Sequence, residues 1–277
     1  MLYHGVSLKG LPMTTIDSHS HLFQKETPPR RQEMHRGRTK ILYDGPDFNS
    51  LVLYFTDNEG DGNDTVLNGR GVINNRISDH LLSRLQEIGI NTHLIRRLNM
   101  REQLVRAAER IPFKVHIYNA ANKDLSARFS LDVGTSLSRP LFEFSYKNQE
   151  QHVVGKEHIC TFGWSNELEL EDITTLAQRT NDFLYGYFSA VGLKLLSFNL
   201  EFGRVYLPES LEQFELLLID EISPETCVFQ DIKTSTIYDV RDSELSLAQR
   251  AEAYEFIAER LGLIKFPTPV TSTSSDI

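Results

Sequence analysis

Two acids, each near the end of an apolar run, are the first residues in this chain that suggest chemistry. In "LLSFNLEFGR" (195–204) and "FELLLIDEIS" (214–223), Glu201 and Asp220 lie toward the ends of two extended runs joined by a short connection. Antiparallel pairing of the runs brings the carboxylates together. Two hard carboxylates at a cleft suit Mg²⁺, which takes few protein ligands and fills its shell with water and phosphate oxygens. The plainer alternative is a pair of solvated strand-end acids. "RGRTKILYDG" (36–45) sets Gly37, Arg38 and Lys40 just before a strand. A glycine lets backbone N–H groups approach a phosphate, and cations neutralise it. Basic residues also flank many strands that bind nothing. The pair Lys147-Asn148 says little by itself. "IDSHSHL" (16–22) holds His19 and His21 in the alternation that aims two imidazoles at one metal. Such a site needs further ligands on later strands of a regularly alternating barrel. The chain lacks that alternation, so 16–22 is expected to be a polar leader.

The elements that must position these residues follow from periodicity. Alternate residues of a strand share a face. In 195–204 this sends Leu196, Phe198, Leu200 and Phe202 toward a core, and Leu195, Ser197, Asn199 and Glu201 the other way. The polar row marks a face that looks into a pocket. Residues 39–57 read as a hairpin turning at "DGP", and 58–64 as a glycine- and acid-rich loop. Ile73, Ile77, Leu81, Leu85 and Ile88 recur at helical spacing, and Gly89 stops them. Residues 111–119 alternate Phe113, Val115 and Ile117 against Lys114, His116 and Tyr118, a strand pattern. Long amphipathic helices are expected over 167–191 and from Ser246, which opens a capping box with Gln249, to Gly262. Strands and helices mix without strict alternation, so the fold class is α+β.

Composition narrows the partners. The chain has 277 residues and a net charge of −9. That balance argues against broad nucleic-acid or anionic-membrane binding. Cys160 and Cys227 are too few for a disulfide framework or a zinc cage, and suit a reducing cytoplasm. No apolar run approaches the roughly 20 residues of a membrane span, and no secretory signal is visible.

The ordered segments "GRTKILYDGP", "GRGVINNRISDHLLSRLQEIGINTHLIRRLNMREQLVRAAERIPFKVHIYN", "PLFEFSYKN", "ICTFGW", "FNLEFGR" and "LLIDEISPETCVFQD" resemble the SAICAR synthetase (phosphoribosylaminoimidazole-succinocarboxamide synthase) family over about 35–262. The resemblance implies an ATP-holding lobe (35–112) and a second lobe with the substrate and metal site (113–264), between an N-terminal extension (1–34) marked by adjacent prolines and little periodicity and a Pro/Ser/Thr-rich tail (265–277) expected to be disordered. It implies ATP and Mg²⁺ as cofactors, a small carboxylic acid and an amine as substrates, and leaves room for a homo-oligomer. ATP would phosphorylate the carboxylate of an aminoimidazole ribonucleotide. Aspartate's amine would then attack the acyl phosphate, giving an amide, ADP and phosphate. The family's Gly-Lys-x-Lys phosphate loop is matched by Gly37, Arg38, Thr39 and Lys40. Its Lys-Asn falls on Lys147 and Asn148, its metal- and nucleotide-side acids on Glu201 and Asp220, and its substrate-loop Asp-Gly on Asp61 and Gly62.

The substrate side departs from the pattern. Where the family has Arg-Asn-x-Ala-Ala-Gly-Ser, the chain runs from Tyr118 to Asp124, which replace the arginine and the serine. Asp-Phe-Lys-Leu-Glu becomes Ser197-Phe198-Asn199-Leu200-Glu201, and Val228 takes the place of another arginine. Charge-assisted contacts contribute about 1.5–3 kcal/mol each, so losing two costs roughly 3–6 kcal/mol, more than a hundredfold in affinity. The sequence therefore favours an ATP-dependent amide ligase acting on another acid or amine. The alternatives are a working SAICAR synthetase with substitute cations, for which Lys123 and Arg128 are nearby, and a non-catalytic nucleotide-binding paralogue. Retention of Lys40, Lys147, Glu201 and Asp220 argues against the last.

Overall fold

A computed structural model describes residues 31–58, 66–146, 149–207 and 210–264. Among them, β1 (Glu33–Arg36), β2 (Lys40–Asp44), β3 (Ser50–Phe55), β4 (Leu94–Arg97) and β5 (Glu102–Arg106) form an antiparallel sheet ordered β1-β2-β3-β5-β4. A second sheet holds β6 (Glu109–Ala120), β7 (Ser136–Tyr146), β8 (Gln149–Val154), β9 (Leu193–Leu207), β10 (Ser210–Ile219), β11 (Cys227–Asp231) and β12 (Ile237–Tyr238). Its order is β12-β11-β9-β6-β7-β8, with β10 also on β9. The helices are α1 (Arg70–Glu87), α2 (Lys123–Phe129), α3 (Lys156–Thr161), α4 (Glu167–Ala190) and α5 (Leu247–Arg260). This is the expected α+β class. The hairpin is β2–β3, and α1 ends at Gly89, whose φ of 78° glycine adopts without a Cβ clash. Ser246 and Gln249 form the capping box of α5. The expected lobe boundary at 112/113 falls inside β6, and the boundary at 34 inside β1.

The main core lies between the second sheet and the helices. Ile111, Phe113, Val115 and Ile117 of β6 alternate into it, as the sequence predicts, against Ile77, Leu81, Ile173 and Leu184. The opposite row of β6, Lys114, His116 and Tyr118, shares a face with Glu201, Asn199 and Ser197, its cross-strand partners on β9.

The strand β9 breaks the simple alternation. Its register with β11 shifts between Val228↔Ser197 and Phe229↔Leu195, leaving Leu196 as the extra residue of a bulge. The shift reverses the faces below it. Leu193 and Leu195 join Phe198, Leu200 and Phe202 in the main core, whereas Leu196 packs with Ala120 and Val228 in a small separate cluster. The expected assignment of Leu195 to the pocket row and Leu196 to the core row is thus corrected. The polar row Ser197, Asn199 and Glu201 holds.

The edge of β9 is also shared. Residues 193–198 pair with β11, while 201–207 pair with β10. The strand expected over 214–223 ends at Ile219, because Asp220 takes a left-handed conformation (φ 67°) that turns the chain out of the ladder. Residues 220–226 then cross from β10 to β11. Asn199 and Glu201 sit where β9 passes from one partner to the other.

Candidate active site

A cavity of about 710 Å³ lies between the inner face of the first sheet and this fork. Leu42, Leu51, Leu53 and Val105 give it an apolar wall. Opposite stand Arg110, Lys114, Asn199, Glu201, Asp220 and Glu221. An apolar wall facing a dense charged one suits a molecule with a flat base at one end and anionic groups at the other.

Gly37, Arg38, Thr39 and Lys40 all line the cavity. Lys40 is the first residue of β2, and pairing with Phe55 fixes its direction. Its ammonium binds Asp220 and lies 2.7 Å from Glu221. Burial works against its charge, yet the two carboxylates outweigh burial and hold its pKa above the usual lysine range. Lys40 therefore stays cationic at any working pH. Arg38 donates to Glu225 at 3.0 Å. Glu225 also accepts from the Tyr254 hydroxyl and lies 3.6 Å from Arg70, a fully buried cation. The segment before β2 is thereby tied to α1 and α5 through one carboxylate.

Glu201 and Asp220 come together as the spacing predicted, Glu201 on β9 opposite Ile219, the last residue of β10, and Asp220 in the turn that follows. Burial raises the pKa of Glu201 and the charge of Asp220 adds to that, against the pull of Lys114 and Arg110. Burial also pushes Asp220 upward, but Lys40 prevails and leaves it below its ordinary value. A buried carboxylate and a half-buried one that repel each other are the donor chemistry of a hard divalent cation. Protein cations occupy them here. Arg110 reaches both Glu201 oxygens at 2.6 and 2.8 Å, Lys114 is 3.3 Å away, and Lys40 takes one oxygen of Asp220. The pair fits Mg²⁺ by exchange with these cations. Among the described residues no cluster of three or more His, Cys, Asp or Glu side chains has metal-site geometry.

His93 also lines the cavity. Its Nε2 is buried without a protein partner. Burial pushes its pKa down to about 4, so the ring is neutral at physiological pH.

Of the expected substrate-side residues among those described, only Asn199 lines this cavity. Ser197 accepts from the Asn122 amide at 3.1 Å. The Tyr118 hydroxyl donates to Asp124 at 3.3 Å and accepts from Arg128 at 3.4 Å. Arg128 is in turn bound by Asp124 and Glu143. Val228 is 2% exposed in its apolar cluster, where its side chain is closed off from ligand. Lys123 pairs with Asp242 and Glu244. Lys147, Asn148, Asp61 and Gly62, like His19 and His21, lie outside the described residues.

Sequence reasoning passed over Arg110, Lys114, His93, Glu221, Glu225 and Arg241. The signal for Lys114 was present, since it shares the polar row of β6 with Tyr118. Glu221 adjoins Asp220 in sequence. The other four reach the cavity only through tertiary contacts, which no local pattern announces.

The family model for SAICAR synthetase matches residues 33–247. A phosphoribosylaminoimidazole-succinocarboxamide synthase of Gluconacetobacter diazotrophicus is 44% identical over 240 residues, 85% of this chain and 93% of that protein. A protein of the same name from Gluconobacter oxydans is 43% identical over the same shares. The crystal structure of such a synthase from Ehrlichia chaffeensis superposes with a TM-score of 0.78 at 36% identity, covering 85% of this chain and all of that one. A type-2 SAICAR synthetase in complex with ADP gives 0.74 at 30% identity, covering 84% and 99%. Fold, cavity and likeness together define an ATP-dependent ligase that joins a carboxylate to an amine. The chain belongs to the SAICAR synthetase family.

Proposed function

We propose that this chain makes SAICAR. The observation that carries the reading is Lys40, Glu201 and Asp220 converging on one cavity in a chain 44% identical to a synthase of that name. Identity of this order over most of the chain fits a working enzyme better than the altered substrate the sequence favoured. ATP would lay its base along Leu42, Leu51, Leu53 and Val105 and its phosphates toward Arg38 and Lys40. Glu201 and Asp220 would hold Mg²⁺, which when bound supplies charge neutralisation on the phosphates. The acid substrate's carboxylate, approaching from the Asn199 side, attacks the γ-phosphorus. The bond to the β-phosphate oxygen breaks and ADP leaves. Aspartate's amine then displaces phosphate from the acyl carbon. A purine-biosynthetic role goes with a cytoplasmic location.

A second reading keeps this chemistry and changes the acid. It is favoured by Tyr118, Asp124 and Val228 standing where the resemblance puts two cations and a hydroxyl. Incubating the protein with ATP, Mg²⁺, carboxyaminoimidazole ribonucleotide and aspartate separates the two. SAICAR formation on the order of 1–10 per second is expected, an ordinary enzymatic rate. ATP binding without product supports the second reading, and absence of ATP binding overturns both.

A further inference from the structure

We propose that Lys114 is the cation that holds the reacting carboxylate of the acid substrate, with Arg110 as the partner that frees it to do so. The inference rests on the SAICAR-synthesis reading.

Lys114 sits in the middle of β6, directly across from Glu201 and diagonal to Asn199. Diagonal neighbours on one face lie about 7–8 Å apart, within reach of a long side chain. The Lys114 ammonium can therefore serve the space in front of Asn199, where the resemblance places a lysine. One cation is absent from β9, and another is supplied from the adjacent strand on the same face. The candidates suggested by sequence, Lys123 and Arg128, are bound to acids, and neither lines the cavity. Arg241 lines the cavity as a further cation.

Glu201 has a second cationic partner beside Lys114. Arg110 grips both its oxygens in the fork geometry that suits guanidinium and carboxylate. Lys114, at 3.3 Å, is the longer contact. An ammonium on a flexible stem, 15% exposed at a largely desolvated wall, can swing toward an arriving anion while Arg110, or Mg²⁺ once bound, counters the charge of Glu201. The reaction calls for such a group. A carboxylate must approach a triphosphate that repels it, and a cation between the two lowers that repulsion in a site where water screens little.

The test pairs Lys114→Met with Lys114→Met/Asn199→Lys, both assayed for SAICAR formation and for ATP binding by calorimetry. Lys114→Met is expected to lower kcat/KM for the ribonucleotide at least a hundredfold, with ATP affinity changed less than threefold. Returning a lysine at 199 is expected to recover at least tenfold of that loss. An ATP-induced rise in melting temperature equal to wild type shows that both variants are folded. Unchanged kcat/KM in Lys114→Met overturns the inference, as does a loss that appears equally in ATP affinity or that Asn199→Lys does not reverse. A wild type that binds ATP but makes no SAICAR overturns the underlying reading, and the inference falls with it. A wild type that is active beside an unaffected Lys114→Met refutes the inference alone.

Discussion

At the residue scale, His93 shows how burial sets a protonation state inside the cavity. A histidine with a folded pKa of about 4 refuses a proton that the unfolded chain accepts near pH 6.5. Above pH 6.5 both states are neutral there and His93 carries no penalty. As pH falls toward 4 the unfolded state binds more protons, so stability drops. By pH 5 this amounts to about 2 kcal/mol. His93→Gln is expected to remove that part of the slope. Urea midpoints of both proteins at pH 7.5 and pH 5 measure it, and equal slopes would show that His93 is not held neutral. Cys227 makes the same point with a different group. Its thiol is fully buried and pushed up to about 12, chiefly by burial. Cys227 should resist iodoacetamide at pH 8 in the native state and react once unfolded, as peptide mapping of the alkylated protein would show.

At the element scale, the strand β9 organises the site. Its bulge turns Leu196 away from the main core and into the cluster with Ala120 and Val228. Above it, the strand changes partners and opens the gap in which Asn199 and Glu201 line the cavity. This bears on what the substitutions mean. The family pattern suggests arginine at 228, yet the Val228 side chain here is enclosed by apolar neighbours. Val228→Arg would bury a guanidinium without a partner, and a loss of about 3 kcal/mol or more is expected. Chemical denaturation measures it. A neutral outcome, with gain of activity toward the ribonucleotide, would mean that the cluster opens to admit a cation.

At the scale of the whole molecule, the cavity draws its walls from both sheets, so a nucleotide bound there joins them. A ligand that binds only the folded protein stabilises it by about 2.7 kcal/mol at a hundred times its dissociation constant. ATP should therefore raise the melting temperature. Deleting residues 1–30 should leave that rise unchanged, because β1 begins at Glu33 and its pairing with β2 survives. A truncated protein that melts normally but loses the ATP response would place part of the site in the deleted segment. The sequence by itself determined what depends on near neighbours: the alternation of β6, the span of α1, the turn of the β2–β3 hairpin, and the meeting of Glu201 with Asp220 across two consecutive strands. Family membership was legible too, because it rests on the order of motifs along the chain. Tertiary structure decided the rest. The parity of β9 below Ser197 is set by its register with β11, a partner distant in sequence, so period-two counting placed Leu195 and Leu196 on the wrong faces. The environments of Lys114, Arg110, His93 and Glu225 depend on which remote groups fold against them. Charge and burial act through space, and a linear pattern records neither the distance nor the dielectric that fixes their strength.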